Sequence, residues 1–191
     1  MGMDIYGRNP KIKSPRPELD FSGASEAVRE VYFEELRKWE EENQGTYFRA
    51  NIWSWRPIQF LINFVNEKYN LGFDLSNYDN NSGAGLETQE DCDILADKLE
   101  SMIGKLGLNE ETDTLYLQLG MWVVSEGDHG SFKLSDEIQE ELNEQYPLGS
   151  ILESSVITSD GQLVQPAWST SKSHIQEFVN FLRHCGGFEI W

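Results

Sequence analysis

The sequence predicts an α+β fold: a single compact domain spanning 1–191, with several helices packed around a small, mainly antiparallel sheet. Three observations predict it. Apolar residues recur at helical spacing in several separate stretches. Short β-rich segments next to glycine, MDIYG and FEIW, stand near the two ends. Between them, SSVITSDGQLVQP sets Asp160-Gly161 amid β-formers, a hairpin signal. The chain is 39% hydrophobic and 12% aromatic, enough for a core, since disordered chains are poor in aromatics.

Taken in order, MDIYG reads as a strand ending at Gly7, and the proline-rich RNPKIKSPRP as an extended surface connection. Over 24–43, Val28, Val31, Tyr32, Leu36 and Trp39 fall on one helical face, and Glu26, Glu30, Glu34 and Glu41 mark an acidic one. Ser22 or Ser25 can cap that helix, and Gly45 stops it. Pro57 suits a first helical turn, so the next helix is expected over 57–69. Its Ile58, Phe60, Leu61, Ile62, Phe64 and Val65 are apolar on most sides, which places it centrally.

After DLSNYDNNSGAG, Thr88 and Asp91 resemble a capping box, opening a helix that carries Cys92, Leu95, Ala96, Leu99, Met102, Ile103 and Leu106. TLYLQLGMWVV, 114–124, reads as a strand, and Ser135 to Gln145 as an acidic helix ended by Pro147. The last helix is expected over 171–184, with Ile175, Phe178, Val179, Leu182 and Cys185 inward, before FEIW forms a short strand.

Charge bounds function. Thirty-three acids against fifteen bases give a formal net charge of −18. That field disfavours direct nucleic-acid binding, which rests on Lys and Arg neutralising phosphates. It also disfavours anionic membrane surfaces, and no run of 18 uncharged apolar residues is present to span a bilayer. Excess carboxylates either keep the chain soluble or present a surface to a basic protein partner, and a DNA mimic is the extreme of the second case. Cys92 and Cys185 are far apart in sequence, so no disulfide framework is expected and a cytoplasmic, reducing compartment fits.

Within this acidic chain, Asn43 to Asn66 holds no Asp or Glu, where about four would fall at the average density. It contains YFRANIWSWRPIQF. One reading is structural: Tyr47, Phe48, Trp53 and Trp55 form a core that excludes carboxylates because desolvating them is costly, and acids from elsewhere in the chain meet the arginines. The other reading is a site. If the segment is extended, Tyr47, Arg49, Asn51 and Trp53 share one face. With Arg56 they suit stacking on, and bidentate recognition of, a nucleotide-like anion. A second acid-free stretch, GQLVQPAWSTSKSHIQ, brings Trp168, Lys172 and His174 as candidates to complete it.

Other chemistry finds little support. Asp79, Asn81, Glu87 and Glu90 fall at EF-hand ligand positions, but Ala84 replaces the turn glycine. No CxxC or HxxxH suggests zinc, and no Walker loop, GxSxG or dinucleotide fingerprint suggests an enzyme. No metal, no cofactor and no catalytic residue is therefore expected. The leading expectation is a non-enzymatic acidic binding or inhibitor protein acting by surface recognition; the alternative is a small-molecule binder or enzyme using the Arg/Trp cluster.

MGMDIYG, the YFRANxWSWRP pattern and CGGFEIW, taken together, resemble a family of uncharacterised proteins from bacterial and phage genomes. The resemblance covers about half the residues, and beside it segments 24–43 and 126–168 look like variable insertions on the core. It implies a phage or mobile-element setting and carries over no catalytic residue.

Overall fold

The computed structural model describes residues 2–106, 108, 110–111, 114–118, 121–125, 131–133, 156–157, 163–164 and 168–191. The expected helix at 135–145 and the Asp160-Gly161 turn lie outside them. The described residues form an α+β fold whose paired strands are all antiparallel.

Strand β1 (Gly2–Gly7) lies between β2 (Tyr47–Asn51) and β9 (Phe188–Ile190). Alternation divides the sheet cleanly: Met3, Ile5, Phe48, Ala50, Phe188 and Ile190 are buried, while Asp4, Arg49 and Asn51 lie on the other face. Gly7 and Gly45 allow the backbone at the end of this sheet to approach His184 and Cys185, because a Cβ at either position would overlap a carbonyl oxygen.

A second sheet has the order β5 (Ser131–Lys133), β4 (Met121–Ser125), β3 (Thr114–Gln118), β8 (Trp168–Ser171). The segment expected as one strand over 114–124 is thus a hairpin with Gln118 opposite Met121. A period-two pattern looks the same in one strand and in two, which explains the misreading. The expected later hairpin is present as β6 (Val156–Ile157) paired with β7 (Leu163–Val164).

Helix α1 (Glu26–Glu42) starts at Ser25, whose side chain accepts a hydrogen bond from the Val28 N–H. Trp39 is the one buried residue of this helix, its Nε1 donating to the Ser14 carbonyl at 2.8 Å. Val28 and Val31, on the apolar face read from the sequence, are 47% and 56% exposed. Periodicity identifies an apolar face, but not whether anything covers it.

Helix α2 (Ile52–Lys68) begins five residues earlier than expected. Asn51 Oδ1 accepts from the Ser54 N–H at 2.9 Å, so the helix is capped there and Pro57 sits in its second turn. Trp55, Pro57, Ile58, Leu61, Ile62, Phe64 and Val65 are buried, making α2 the central helix. The Trp55 indole is fully buried, donates to the Tyr78 carbonyl at 2.8 Å and meets Phe178 edge-on. Such a side chain removes roughly 150–250 Å² from water.

Helix α3 (Gln89–Lys105) has the expected cap: Thr88 Oγ1 accepts from the Asp91 N–H and donates to the Asp91 carboxylate. Helix α4 (Lys172–Leu182) follows β8 directly and packs against α3 and β2. No helix of the described residues is long and apolar enough to cross a membrane.

Candidate functional site

Two strands run straight into helices. Strand β2 ends at Asn51, the cap of α2, and β8 ends at Ser171, the cap of α4. The two junctions share one open groove of about 720 Å³. One wall is Arg49, Asn51 and Ser54; the other is Ser169, Thr170, Ser171 and Ser173, with His174 and Glu177 beyond. Neither helix has an acidic residue in its first turn, whereas α1 and α3 both do. The groove therefore adds the positive ends of two helix dipoles to an arginine and several hydroxyls.

Arg49 lies opposite Asp4 in the sheet register. Among the described residues its carboxylate contact is Asp4, Nε to Oδ1 at 3.8 Å, and its side chain is 70% exposed. Asp4 has a closer partner, since the Tyr47 hydroxyl donates to the same oxygen. Burial, then this bond to a carboxylate, pushes the Tyr47 phenol well above the ordinary tyrosine range. Asp4 thus holds Tyr47 tightly and Arg49 loosely.

His174 is built into the wall. Its ring centroid lies 4.9 Å from that of Phe48, and Nδ1 lies 3.1 Å from Glu177 Oε2. Nε2 is buried with no hydrogen-bond partner among the described residues. A bare ring nitrogen costs less to bury than an unpaired N–H, which favours the tautomer in which Nδ1–H donates to Glu177. Thr170, 3% exposed, borders the groove, and its Oγ1 has no partner among the described residues. Ser171 is engaged: its Oγ accepts from the His174 N–H at 3.2 Å and lies 2.8 Å from Ser173 Oγ.

The expected cluster is divided. Arg49, Asn51 and His174 meet in the groove, and Tyr47 adjoins through Asp4. Trp53 does not join them: the helix starts at Ile52, alternation ends there, and Trp53 is 57% exposed on the first turn. Arg56 and Trp168 meet each other instead, the guanidinium carbon 5.9 Å from the ring centroid. Arg56 also donates to Gln59 Oε1 at 3.2 Å and lies 3.9 Å from Asp79, so here a carboxylate does arrive from elsewhere in the chain. Lys172 is the first residue of α4 and is partly buried. Asp4, Ser54, Ser169, Ser173 and Glu177 were not singled out from sequence; serines near helix starts read as caps, and the nearness of two junctions is a tertiary fact.

Asp79, which falls at the first ligand position of the EF-hand spacing, faces Arg56 and accepts from Asn80 Nδ2. Among the described residues no group of three or more His, Cys, Asp or Glu side chains is placed to hold a metal ion. No family model, curated protein or solved structure matches the chain.

Proposed function

We propose that the protein binds a small anion with several oxygen acceptors, of the nucleotide or phosphate-ester class, in the Arg49 groove. One observation carries this reading: two helix starts free of acidic residues flank a loosely paired arginine in a chain of net charge −18. Arg49 supplies the forked cation, Asn51, Ser54 and Ser173 supply neutral polar groups, and the helix dipoles add directed positive potential. The Glu177 carboxylate opposes this potential, but its contact with the imidazole turns part of its charge to the wall. A binding role suits the groove better than catalysis, since the imidazole is held between Phe48 and Glu177.

A thermal-shift panel of inorganic phosphate, nucleoside mono- and diphosphates and cyclic dinucleotides tests the reading. At about 100 times Kd, binding contributes about 2.7 kcal/mol, which raises Tm by roughly 5–10 °C for a chain of this size. Arg49→Ala should abolish that rise. A rise that survives the substitution, or silence across the panel, contradicts the reading.

A second reading, recognition of a basic protein partner, is favoured by α1. Val28, Val31 and Phe33 are each about half exposed on a helix rich in glutamates, an arrangement suited to a basic, apolar surface. Pull-downs with basic partners at low and high salt separate the two readings, because Val31→Glu should abolish this capture and leave the thermal shift intact.

A further inference from the structure

Cys92 and Cys185 are 93 residues apart in sequence, and their sulfurs lie 3.6 Å apart in the core. Neither thiol is solvent-accessible, and neither belongs to the groove. The segment carrying Cys185 is fastened to the start of α3 on both sides. Gln89 Oε1 accepts from the Gly186 N–H at 2.7 Å, and Gln89 Nε2 donates to the Leu182 carbonyl at 2.8 Å. Phe188 N–H donates to the Leu86 carbonyl at 2.8 Å. The two sulfurs are therefore held face to face by the surrounding backbone.

We propose that Cys92 and Cys185 form a redox pair that closes to a disulfide when the protein meets a peroxide. The sulfurs must approach by about 1.5 Å to reach the bonded distance of ~2.05 Å. Cys185 is the attacking sulfur. Its sulfur lies 3.4 Å from the Leu182 carbonyl oxygen, and its thiol is hydrogen-bonded with that of Cys92 at 3.6 Å. That hydrogen bond lowers Cys185 from the ordinary thiol range and raises Cys92.

The Cys185 thiolate attacks one peroxide oxygen. The O–O bond breaks, hydroxide leaves and takes the thiol proton as water, and Cys185 becomes a sulfenic acid. Cys92 sulfur then attacks Cys185 sulfur. The S–O bond breaks, and a second water leaves with the Cys92 proton. Two thiols lose two electrons, and one hydrogen peroxide becomes two waters. Because solvent does not reach either sulfur in the closed fold, a peroxide meets the pair only through local opening of the surrounding backbone. The same burial keeps bulky disulfides out, so in a reducing compartment the pair rests as dithiols. Once closed, the bond joins the start of α3 to the end of α4 across a loop of about a hundred residues, long enough to restrict the unfolded chain strongly.

The test uses the full chain with hydrogen peroxide, followed by unfolding in an alkylating reagent and peptide mapping. The expected product is two hydrogens lighter, takes no alkyl label, and yields a Cys92–Cys185 cross-linked peptide. Its Tm should rise by roughly 10 °C or more, and dithiothreitol should restore both the two labels and the original Tm. In Cys92→Ser, peroxide should instead leave a sulfenic acid on Cys185 that dimedone traps. Two alkylatable thiols remaining after peroxide, sulfinic acid in place of the cross-link, or an unchanged Tm would each overturn the proposal.

Discussion

Arg49 and Arg56 come from one acid-poor stretch and end in different surroundings. Arg56 is held by Gln59, Asp79 and Trp168, as the structural reading of the stretch requires. Arg49 keeps an exposed side chain against one shared carboxylate, as the site reading requires. Sequence could not apportion them, because the partners arrive from residues 4 and 79. The buried tyrosine beside Asp79 yields a sharper prediction. Among the described residues the Tyr78 hydroxyl has no hydrogen-bond partner, and the ring is fully buried. Tyr78→Phe should therefore leave stability unchanged or raise it, measured by urea unfolding; a loss above about 1 kcal/mol would reveal a partner. Burial also pushes the Tyr78 phenol up, as it does Tyr47. A folded value above the unfolded one means that the native state holds its proton longer. Stability from these two groups is full below about pH 10 and falls as pH rises beyond it. Absorbance of ionised tyrosine, compared with Tyr47→Phe and Tyr78→Phe, should show that these two phenols titrate only as the fold is lost.

At the scale of elements, the caps decide where the groove forms. Asn51 and Ser171 each turn an extended strand into a helix within one residue. Asn51→Ala and Ser171→Ala should each cost about 1 kcal/mol in denaturant unfolding. Gly45→Ala should cost more, since the new Cβ meets the His184 carbonyl rather than a movable side chain. Helices α3 and α4 were legible because strong apolar periodicity coincided with capping residues. The start of α2 was misplaced because Pro57 is the louder signal, although Asn51 with Ser54 three residues on was a usable one. Three of the four residues of the expected face, Tyr47, Arg49 and Asn51, stay together because alternation holds through Asn51, and Trp53 is lost because it stops there. The other wall was visible only as a second stretch without acids, and nothing local said that the two stretches adjoin.

For the whole molecule, charge sets the terms. A net −18 makes the folded chain repel itself, so raising salt from about 0.01 to 0.15 M, which shortens screening to about 8 Å, should raise Tm in the absence of ligand. The same field sharpens the meaning of the groove, one place where acids are missing from two helix starts at once. An amide-resolved NMR titration with a nucleoside monophosphate tests that meaning most directly. The account predicts shifts concentrated at Ser54 and at residues 171–174, lost in Arg49→Ala. Shifts that are absent, or that follow Lys11, Lys13 and Arg16 instead, would contradict it.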